Sequence, residues 1–356
     1  MKVLTAIGNR PQFVKAAAVS GPLRALHEEV LVHTGQHFDD DLSAVFFTEL
    51  ALPAPDRVLG IALGSNTSQT ARMLTALETV IAEVRPDAVL VYGDTNSTLA
   101  AALAAAQAQV PVAHVEAGMR SFDRAMPEEL NRVLTDHASS LLLCSSETAA
   151  ANLVREGVAG AVEVIGDVMV DVALMLQPRA RARTDVLGSY GVRAGEFVLA
   201  TAHRAGNVDD PARLTQLVEL LLAVPAPVVL PLHPRTGERL RAAGLFERLE
   251  HAERIRLAPP LGYLEFTALL CHARAVLTDS GGVQKEAYLA GTPCITLRPG
   301  TEWTETVQQG WNVLVDLDRD AMLAGLDRRP PAERPPLYGD GRAAERAVAA
   351  LTLHLG

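Results

Sequence analysis

Side chains suited to proton transfer or anion binding recur at the ends of short apolar runs in this 356-residue chain. Asp94 follows the run 88–92 in Gly93-Asp94-Thr95-Asn96, and Glu116 follows the run 112–115. Pro127-Glu128-Glu129 opens a helical stretch carrying Arg132. Arg10 and Lys15 follow Ile7, His203 follows Thr201, and His233 follows Leu232. Thr278 leads into Asp279-Ser280-Gly281-Gly282, after which Val283 reads as the start of a helix carrying Glu286. A strand, a glycine turn and a helix start present free N–H groups and a positive dipole end to a phosphate. Glu286, one turn in, is placed to accept hydrogen bonds from a ribose, so the segment points to a nucleotide-linked ligand. Arginine, lysine and a glycine turn provide for a diphosphate; several carboxylates with a histidine provide for proton transfer. The chain has neither a Walker loop nor a G-x-G-x-x-G run, which weighs against ATPase and NAD chemistry.

Each residue alone has a plainer reading. Asp94 reads as a helix N-cap. Glu128 and Glu129 read as first-turn acids favoured by the helix dipole, and Glu128 with Arg132 as an i,i+4 pair. His203 reads as a satisfied core histidine and His233, before Pro234, as a loop residue. Glu116 resists such a reading, because glutamate is a poor cap and this one follows a mostly apolar strand. The combination shifts the balance toward a site.

The elements that must position these residues are short and β-branched. Candidate strands are 2–7, 30–34, 88–92, 112–115, 141–144, 162–165, 197–201, 228–232, 255–257, 276–278, 294–297 and 313–315, separated by helix-length segments. This is the βαβ pattern of parallel sheets covered on both faces. The strands form two sets, parted by a charged stretch from Gln177 to Asp185 that suits a connector. The expected fold is α/β, with two Rossmann-like doubly wound domains over residues 1–168 and 169–340 and a cleft between them; a last helix, 341–356, packs back on the first domain. Ligands of such sheets bind beyond the carboxyl ends of the strands, where the residues above fall.

Composition bounds the rest. With 49% apolar residues the chain can build two real cores. A net charge of −10 and a pI near 5.5 argue against a general nucleic-acid or anionic-membrane partner. Cys144, Cys271 and Cys294 are widely spaced without C-x-x-C, so buried inert thiols are expected in place of disulfides or zinc. The opening apolar run is too short for a signal peptide, and the alanine-rich run 99–106 cannot span a bilayer; the expected location is the cytoplasm. Lys2, Lys15 and Lys285 are the only lysines, so a lysine here is favoured for a compact point charge that arginine cannot supply.

Taken in order, Gly8-Asn-Arg-Pro11, Thr34-Gly-Gln-His37, Gly93-Asp-Thr-Asn96, His114-Val-Glu-Ala-Gly118, Pro127-Glu-Glu129 with Asn131-Arg132, His203-Arg204 and Thr278-Asp-Ser-Gly-Gly-Val-Gln284 resemble the non-hydrolysing UDP-N-acetylglucosamine 2-epimerases over essentially the whole chain. The resemblance implies the glycosyltransferase-B type of fold and a homodimer. It also implies an isomerase that loses UDP from C1 as the C2 proton leaves, then adds UDP back to a glycal intermediate with a proton on the other face. Neither metal nor other cofactor is implied. By the same resemblance Asp94, Glu116 and Glu128 are acid/base carboxylates, His203 an active-site histidine near the diphosphate, and Arg10 and Lys15 diphosphate or sugar contacts. Ser280, Gly281 and Gly282 match the phosphate-binding turn, Glu286 the ribose contact, and Leu261 and Phe266 the uracil pocket, with Arg132 and His233 also on the substrate side. Which carboxylate takes which proton stays open.

Departures from the family pattern sharpen the substrate question. Gly206 stands where many relatives have glutamate, and Trp303 where many have an arginine that contacts the nucleotide-sugar. Phe38-Asp39 replaces a basic residue of the substrate-regulated type, which argues against that regulation. The tryptophan, with runs 229–235 and 283–286, also resembles a branch that epimerises UDP-2,3-diacetamido-2,3-dideoxyglucuronate. A glycosyltransferase of the same fold and a hydrolysing relative are the weaker alternatives.

Overall fold

The computed structural model describes residues 1–36, 50 and 52–356; His37, Phe38 and Asp39 lie outside these. The described chain divides into two compact units, Met1–Leu174 with Tyr338–Gly356, and Met175–Leu337.

The first unit is built on β1 (Lys2–Ile7), β2 (Glu28–His33), β3 (Arg57–Val58), β4 (Ala88–Tyr92), β5 (Val112–Ala117), β6 (Leu141–Cys144) and β7 (Ala161–Val164). Its helices are α1 (Arg10–Leu26), α2 (Asn66–Val84), α3 (Asn96–Gln107), α4 (Pro127–Ala138), α5 (Glu147–Glu156) and α6 (Val168–Ala182). The parallel strands run β3-β2-β1-β4-β5-β6-β7. Between α6 and the second sheet lies α7 (Asp185–Ser189). That sheet comprises β8 (Val198–Thr201), β9 (Val228–Pro231), β10 (Ile255–Ala258), β11 (Ala275–Thr278), β12 (Cys294–Thr296) and β13 (Asn312–Leu314). Its helices are α8 (Ala205–Val208), α9 (Pro211–Leu222), α10 (Pro234–Ala242), α11 (Phe246–Glu250), α12 (Tyr263–His272), α13 (Gly281–Ala290), α14 (Thr304–Gln308) and α15 (Arg319–Asp327), and α16 (Ala343–Leu355) closes the chain within the first unit. The second parallel sheet runs β10-β9-β8-β11-β12-β13.

Both orders reverse direction once, between β1 and β4 and between β8 and β11. At such a switch point the loops leaving the two central strands diverge and leave a crevice. Successive residues of a strand face opposite sides, and the cores follow that rule. Val198 and Ala200 join one cluster with Leu214, Leu217 and Leu221, while Phe197 and Leu199 join another with Leu269, Val276 and Ala287. In the first unit Leu4, Ala6, Val89 and Val91 pack on Met73, Leu77 and Ala101. Coverage of both faces explains why the strands read as continuous apolar runs.

Two features depart from the pattern read in the sequence. The charged stretch from Gln177 to Asp185 is largely helical: α6 runs through Pro178 to Ala182, and the boundary between units falls within α6, between Leu174 and Met175. Alanine and arginine are strong helix formers, which outweigh low hydrophobicity. The two-residue β3 is too short to leave a periodic signal. Cys144, Cys271 and Cys294 are all free thiols, and burial pushes those of Cys144 and Cys294 up to about 12.

Candidate active site

At the first switch point β1 delivers Gly8 and Asn9, and Asn9 caps α1 by accepting from the Gln12 amide at 3.2 Å. Gly8 has no room for a side chain: a Cβ would lie 2.2 Å from Thr34 Oγ1 and 2.1 Å from Ser97 Oγ. The Gln12 side chain donates to the Tyr92 carbonyl at 2.9 Å and accepts from the Gly8 amide at 2.7 Å, tying the ends of β1 and β4 together. Arg10 is exposed in the first turn of α1. Lys15 lies further along, and a long helical side chain leans back toward the helix N-terminus. Its Nζ therefore returns to the strand ends, where it is ion-paired with Glu116.

Glu116 is presented by an irregularity. The register between β5 and β6 shifts between Val115 and Ala117, and Glu116 has φ of 74°, rare for a side chain with a Cβ. Gly93, at the end of β4, has φ of 64°, and a Cβ there would stand 3.3 Å from Glu116 Oε2 and 3.4 Å from Lys15 Nζ. Glu116, Lys15 and the Gly93 backbone thus converge on one point. Burial alone would lower the Lys15 ammonium, but Glu116, with Asp94 and Asp167 behind it, more than offsets this and raises it above the usual lysine value.

Asp94 follows at once and is ion-paired with Arg132 of α4. The N-cap of α3 is Thr95, not Asp94: its side chain accepts from the Thr98 amide while the Thr98 hydroxyl accepts from the Thr95 amide. Freed of capping, Asp94 lies beside the positive end of α3. Arg132 also pairs with Glu129, three residues earlier, at 3.3 Å, in place of the Glu128 pair that sequence spacing suggests. Glu129 is buried and accepts from the Ser121 amide and hydroxyl, both at 2.9 Å, and from the Phe122 amide at 3.0 Å. Burial would raise its carboxyl, and these donors with Arg132 hold it below the usual range. Glu128 is exposed on α4 and takes no ion pair among the described residues. Of the two adjacent acids, Glu129 organises the loop before α4 and Glu128 is left accessible.

At the second switch point β8 leads into His203 and Arg204, and β11 into Asp279 and Ser280. Asp279 is fully buried and gathers the loop: it accepts from the His203 amide at 3.1 Å, the Arg204 amide at 3.0 Å and Asn207 Nδ2 at 3.1 Å. The His203 ring, half-exposed, stands with Nδ1 3.8 Å from Asp279 and stacks on His233, ring centres 5.4 Å apart. His233 is more than a loop residue: it is the N-cap of α10, accepting from the Arg235 amide at 3.2 Å. Burial, then the neighbouring His203 and Arg235, lower the His233 imidazole.

The glycine pair reads differently in three dimensions. Helix α13 starts at Gly281, two residues before Val283, with Ser280 as its N-cap, and neither glycine has a positive φ. At Gly281 the missing side chain provides space, not backbone freedom, whereas a Cβ on Gly282 would meet nothing closer than 3.9 Å. A Cβ on Gly281 would fall 1.9 Å from Glu302 Oε1. The Glu302 carboxylate thus lies against the start of α13, 2.9 Å from Arg298 and 3.7 Å from Arg204, and is the kind of charge a helix N-terminus favours. Trp303 carries the Lys285 ammonium 4.6 Å from its ring centre. Glu286 is half-buried one turn into α13. Leu261 and Phe266, 5% and 6% exposed, belong to a core cluster of the second unit.

Every site candidate thus lies in the first unit (Arg10, Lys15, Asp94, Glu116, Glu128, Arg132) or in the second (His203, His233, Leu261, Phe266, Ser280, Gly281, Gly282, Glu286). Sequence reasoning missed the buried organisers Glu129 and Asp279; their signal was an acid beside a strand or helix end, which a cap produces equally well. No group of described residues could hold a metal ion, and no described helix is long and apolar enough to cross a membrane.

The family profile described as UDP-N-acetylglucosamine 2-epimerase matches residues 24–352. The chain belongs to this family. Among UDP-N-acetylglucosamine 2-epimerase relatives, a homolog from Methanococcus maripaludis is 43% identical over 354 residues, covering 99% of each chain. The UDP-2,3-diacetamido-2,3-dideoxy-D-glucuronate 2-epimerase of Pseudomonas aeruginosa is 47% identical over 357 residues, covering 97% of this chain and 98% of the other. A crystal structure of the Methanocaldococcus jannaschii UDP-GlcNAc 2-epimerase in complex with UDP-GlcNAc and UDP superposes with a TM-score of 0.89 at 40% identity, over 99% of this chain and 100% of that one. The 2-epimerase family thus spans both units with their sheets.

Proposed function

We propose that this chain epimerises a UDP-activated 2-acetamido sugar at C2, interconverting UDP-N-acetylglucosamine and UDP-N-acetylmannosamine. The observation that carries the reading is the pair of carboxylates at adjacent strand ends, Asp94 and Glu116, each held by its own cation, Arg132 and Lys15. A C2 proton beside an N-acetyl group is too weakly acidic for simple removal. Expulsion of UDP from C1 as that proton leaves gives a 2-acetamidoglucal, and re-addition of UDP with protonation of the opposite face completes inversion. Such a course needs acid/base groups able to act on either face, for which Asp94, Glu116 and the accessible Glu128 are candidates. It also needs a hold on the UDP leaving group, for which His203, Arg10 and the Ser280–Gly282 start of α13 are suited by charge and by free N–H groups. Leu261, Phe266 and Glu286 are assigned to the nucleoside, and His233 to support of His203. Homodimeric assembly enters this proposal from the family resemblance alone, and cytoplasmic location as the expectation drawn from the sequence.

Proton NMR of the protein with UDP-N-acetylglucosamine in D2O tests it. Loss of the C2 proton signal with growth of the manno epimer is the expected result. Release of free N-acetylmannosamine and UDP replaces epimerisation by hydrolysis, and an unchanged spectrum refutes this substrate.

One observation favours a second substrate. Identity to the diacetamido-glucuronate 2-epimerase, 47%, exceeds that to the UDP-N-acetylglucosamine relatives at 43% and 40%. The same assay with the diacetamido-uronate decides between them.

A further inference from the structure

His114 is fully buried in β5, and both of its ring nitrogens meet acceptors. Nδ1 lies 2.7 Å from Asp136 Oδ1 of α4, and Nε2 lies 2.7 Å from the carbonyl oxygen of Gly93. A carboxylate and a carbonyl only accept, so the ring donates through both nitrogens. Asp136, also fully buried, accepts in addition from the Gly118 amide at 3.1 Å and from Arg120 at 2.7 Å, and Arg120 is held in turn by Glu156 at 2.6 Å. Every polar end of this chain is satisfied inside the first unit.

What the chain holds is as telling as what it contains. The Gly93 carbonyl belongs to the peptide that leads directly into Asp94. The Gly118 amide follows the irregular stretch on which Glu116 adopts φ of 74°. Gly118 itself has φ of 77°, and a Cβ there would lie 2.2 Å from the Ala149 carbonyl oxygen. Two carboxylate-bearing loops in uncommon backbone conformations thus hang from one buried His–Asp pair. A left-handed conformation at a residue with a side chain persists only where its surroundings over-determine it.

We propose that His114, with Asp136, is a positioning residue for the epimerase reaction. His114 sets the place of Asp94 through the Gly93 carbonyl, and Asp136, which keeps its hold on Arg120 and the Gly118 amide without the ring, sets that of Glu116; neither touches substrate. The inference rests on the epimerase reading for its kinetic test and on geometry alone for its structural test.

The two ring nitrogens can be replaced separately. His114→Gln keeps an N–H donor near the place of Nε2 and so the hold on Gly93; His114→Asn keeps one near Nδ1 and so the hold on Asp136 alone. His114→Asn is expected to lose about 30- to 100-fold in kcat with KM within about threefold, since displacing a reacting group by about 1 Å costs about a hundredfold. His114→Gln is expected to stay within about fivefold of the parent in kcat. Activity is measured well below each variant's melting temperature and scaled to the folded fraction, so a purely structural role predicts normal kcat for both. Normal kcat in folded His114→Asn, or an equal loss in His114→Gln, overturns the proposal. Should His114→Asn not fold, His114→Gln decides alone by the same limit. Crystal structures of the variants provide a test that needs no substrate. The proposal expects Asp94 displaced and Glu116 in place in His114→Asn, and both in place in His114→Gln; an unmoved Asp94 in His114→Asn refutes it even if the parent turns over neither sugar, an outcome that would count against the epimerase reading separately.

Discussion

Removing the Asp279 carboxylate is expected to unfold the loop that carries His203 and Arg204. The side chain is wholly buried and holds three donors: two backbone amides at partly exposed residues and the buried Asn207 amide. Hydrogen bonds to a charged acceptor are worth about 1.5–3 kcal/mol each. The two backbone amides can recover water once the carboxylate is gone, so about 1 kcal/mol is assigned to each, against about 2 kcal/mol for the Asn207 donor left stranded. Asp279→Ala should therefore cost about 4 kcal/mol, a fall of about 10 °C in melting temperature for a unit of this size. Asp279→Asn leaves one oxygen. Placed where Oδ2 stands, that oxygen still reaches Arg204 and Asn207, so the cost should drop to about 1–2 kcal/mol. Thermal unfolding followed by circular dichroism gives the size, and hydrogen exchange at the amides of 203–208 gives the place. An Asp279→Ala protein melting within about 2 °C of the parent, or an Asp279→Asn protein as damaged as the alanine variant, would refute the reasoning.

Further outcomes follow from the same geometry. Glu129→Gln should destabilise the protein at neutral pH, while Glu128→Gln, at an exposed position, should change stability by less than about 0.5 kcal/mol and lower turnover instead. Because the Glu129 carboxyl is depressed in the fold, its contribution is present above the ordinary carboxyl value and lost as pH falls through its folded value. The parent and Glu129→Gln should therefore converge in acid melting curves. For Lys15 the sign reverses: its raised ammonium contributes stability below the ordinary lysine value of 10.5 and loses it as pH rises through the folded value, so among three labelled lysines the NMR signal of Lys15 should keep its charge to a pH above 10.5. Gly281→Ala should force the Glu302 carboxylate out of its place at the start of α13, and a crystal structure of the variant with Glu302 unmoved would refute it.

Much of this was legible in the residues. Each sequence-predicted strand is present within about two residues at either end, because strands buried on both faces leave unbroken β-branched runs. The positions of Asp94, Glu116, His203 and Asp279 at strand ends followed from the same runs. The choice between Glu128 and Glu129 did not, because adjacent acids in a first turn look alike until Ser121 and Phe122 fold back to one of them. Nor did the partner of Arg132: i,i+4 spacing favours Glu128, and only the sheet brings Asp94 within reach. The start of α13 was placed late because glycine is the weakest helix former short of proline, and here the lack of a side chain, not a turn, is what the position requires.

The scarcity of lysine has a consequence for handling this protein in the laboratory. Lys15 and Lys285 are 9% and 4% exposed, whereas the Lys2 side chain is 37% exposed. Amine-reactive dyes, biotin esters and bifunctional cross-linkers therefore meet, among the lysines of the folded chain, little more than Lys2. A label directed to lysine should attach at Lys2 and spare Lys15, so the protein can be tethered to a surface through one known side chain.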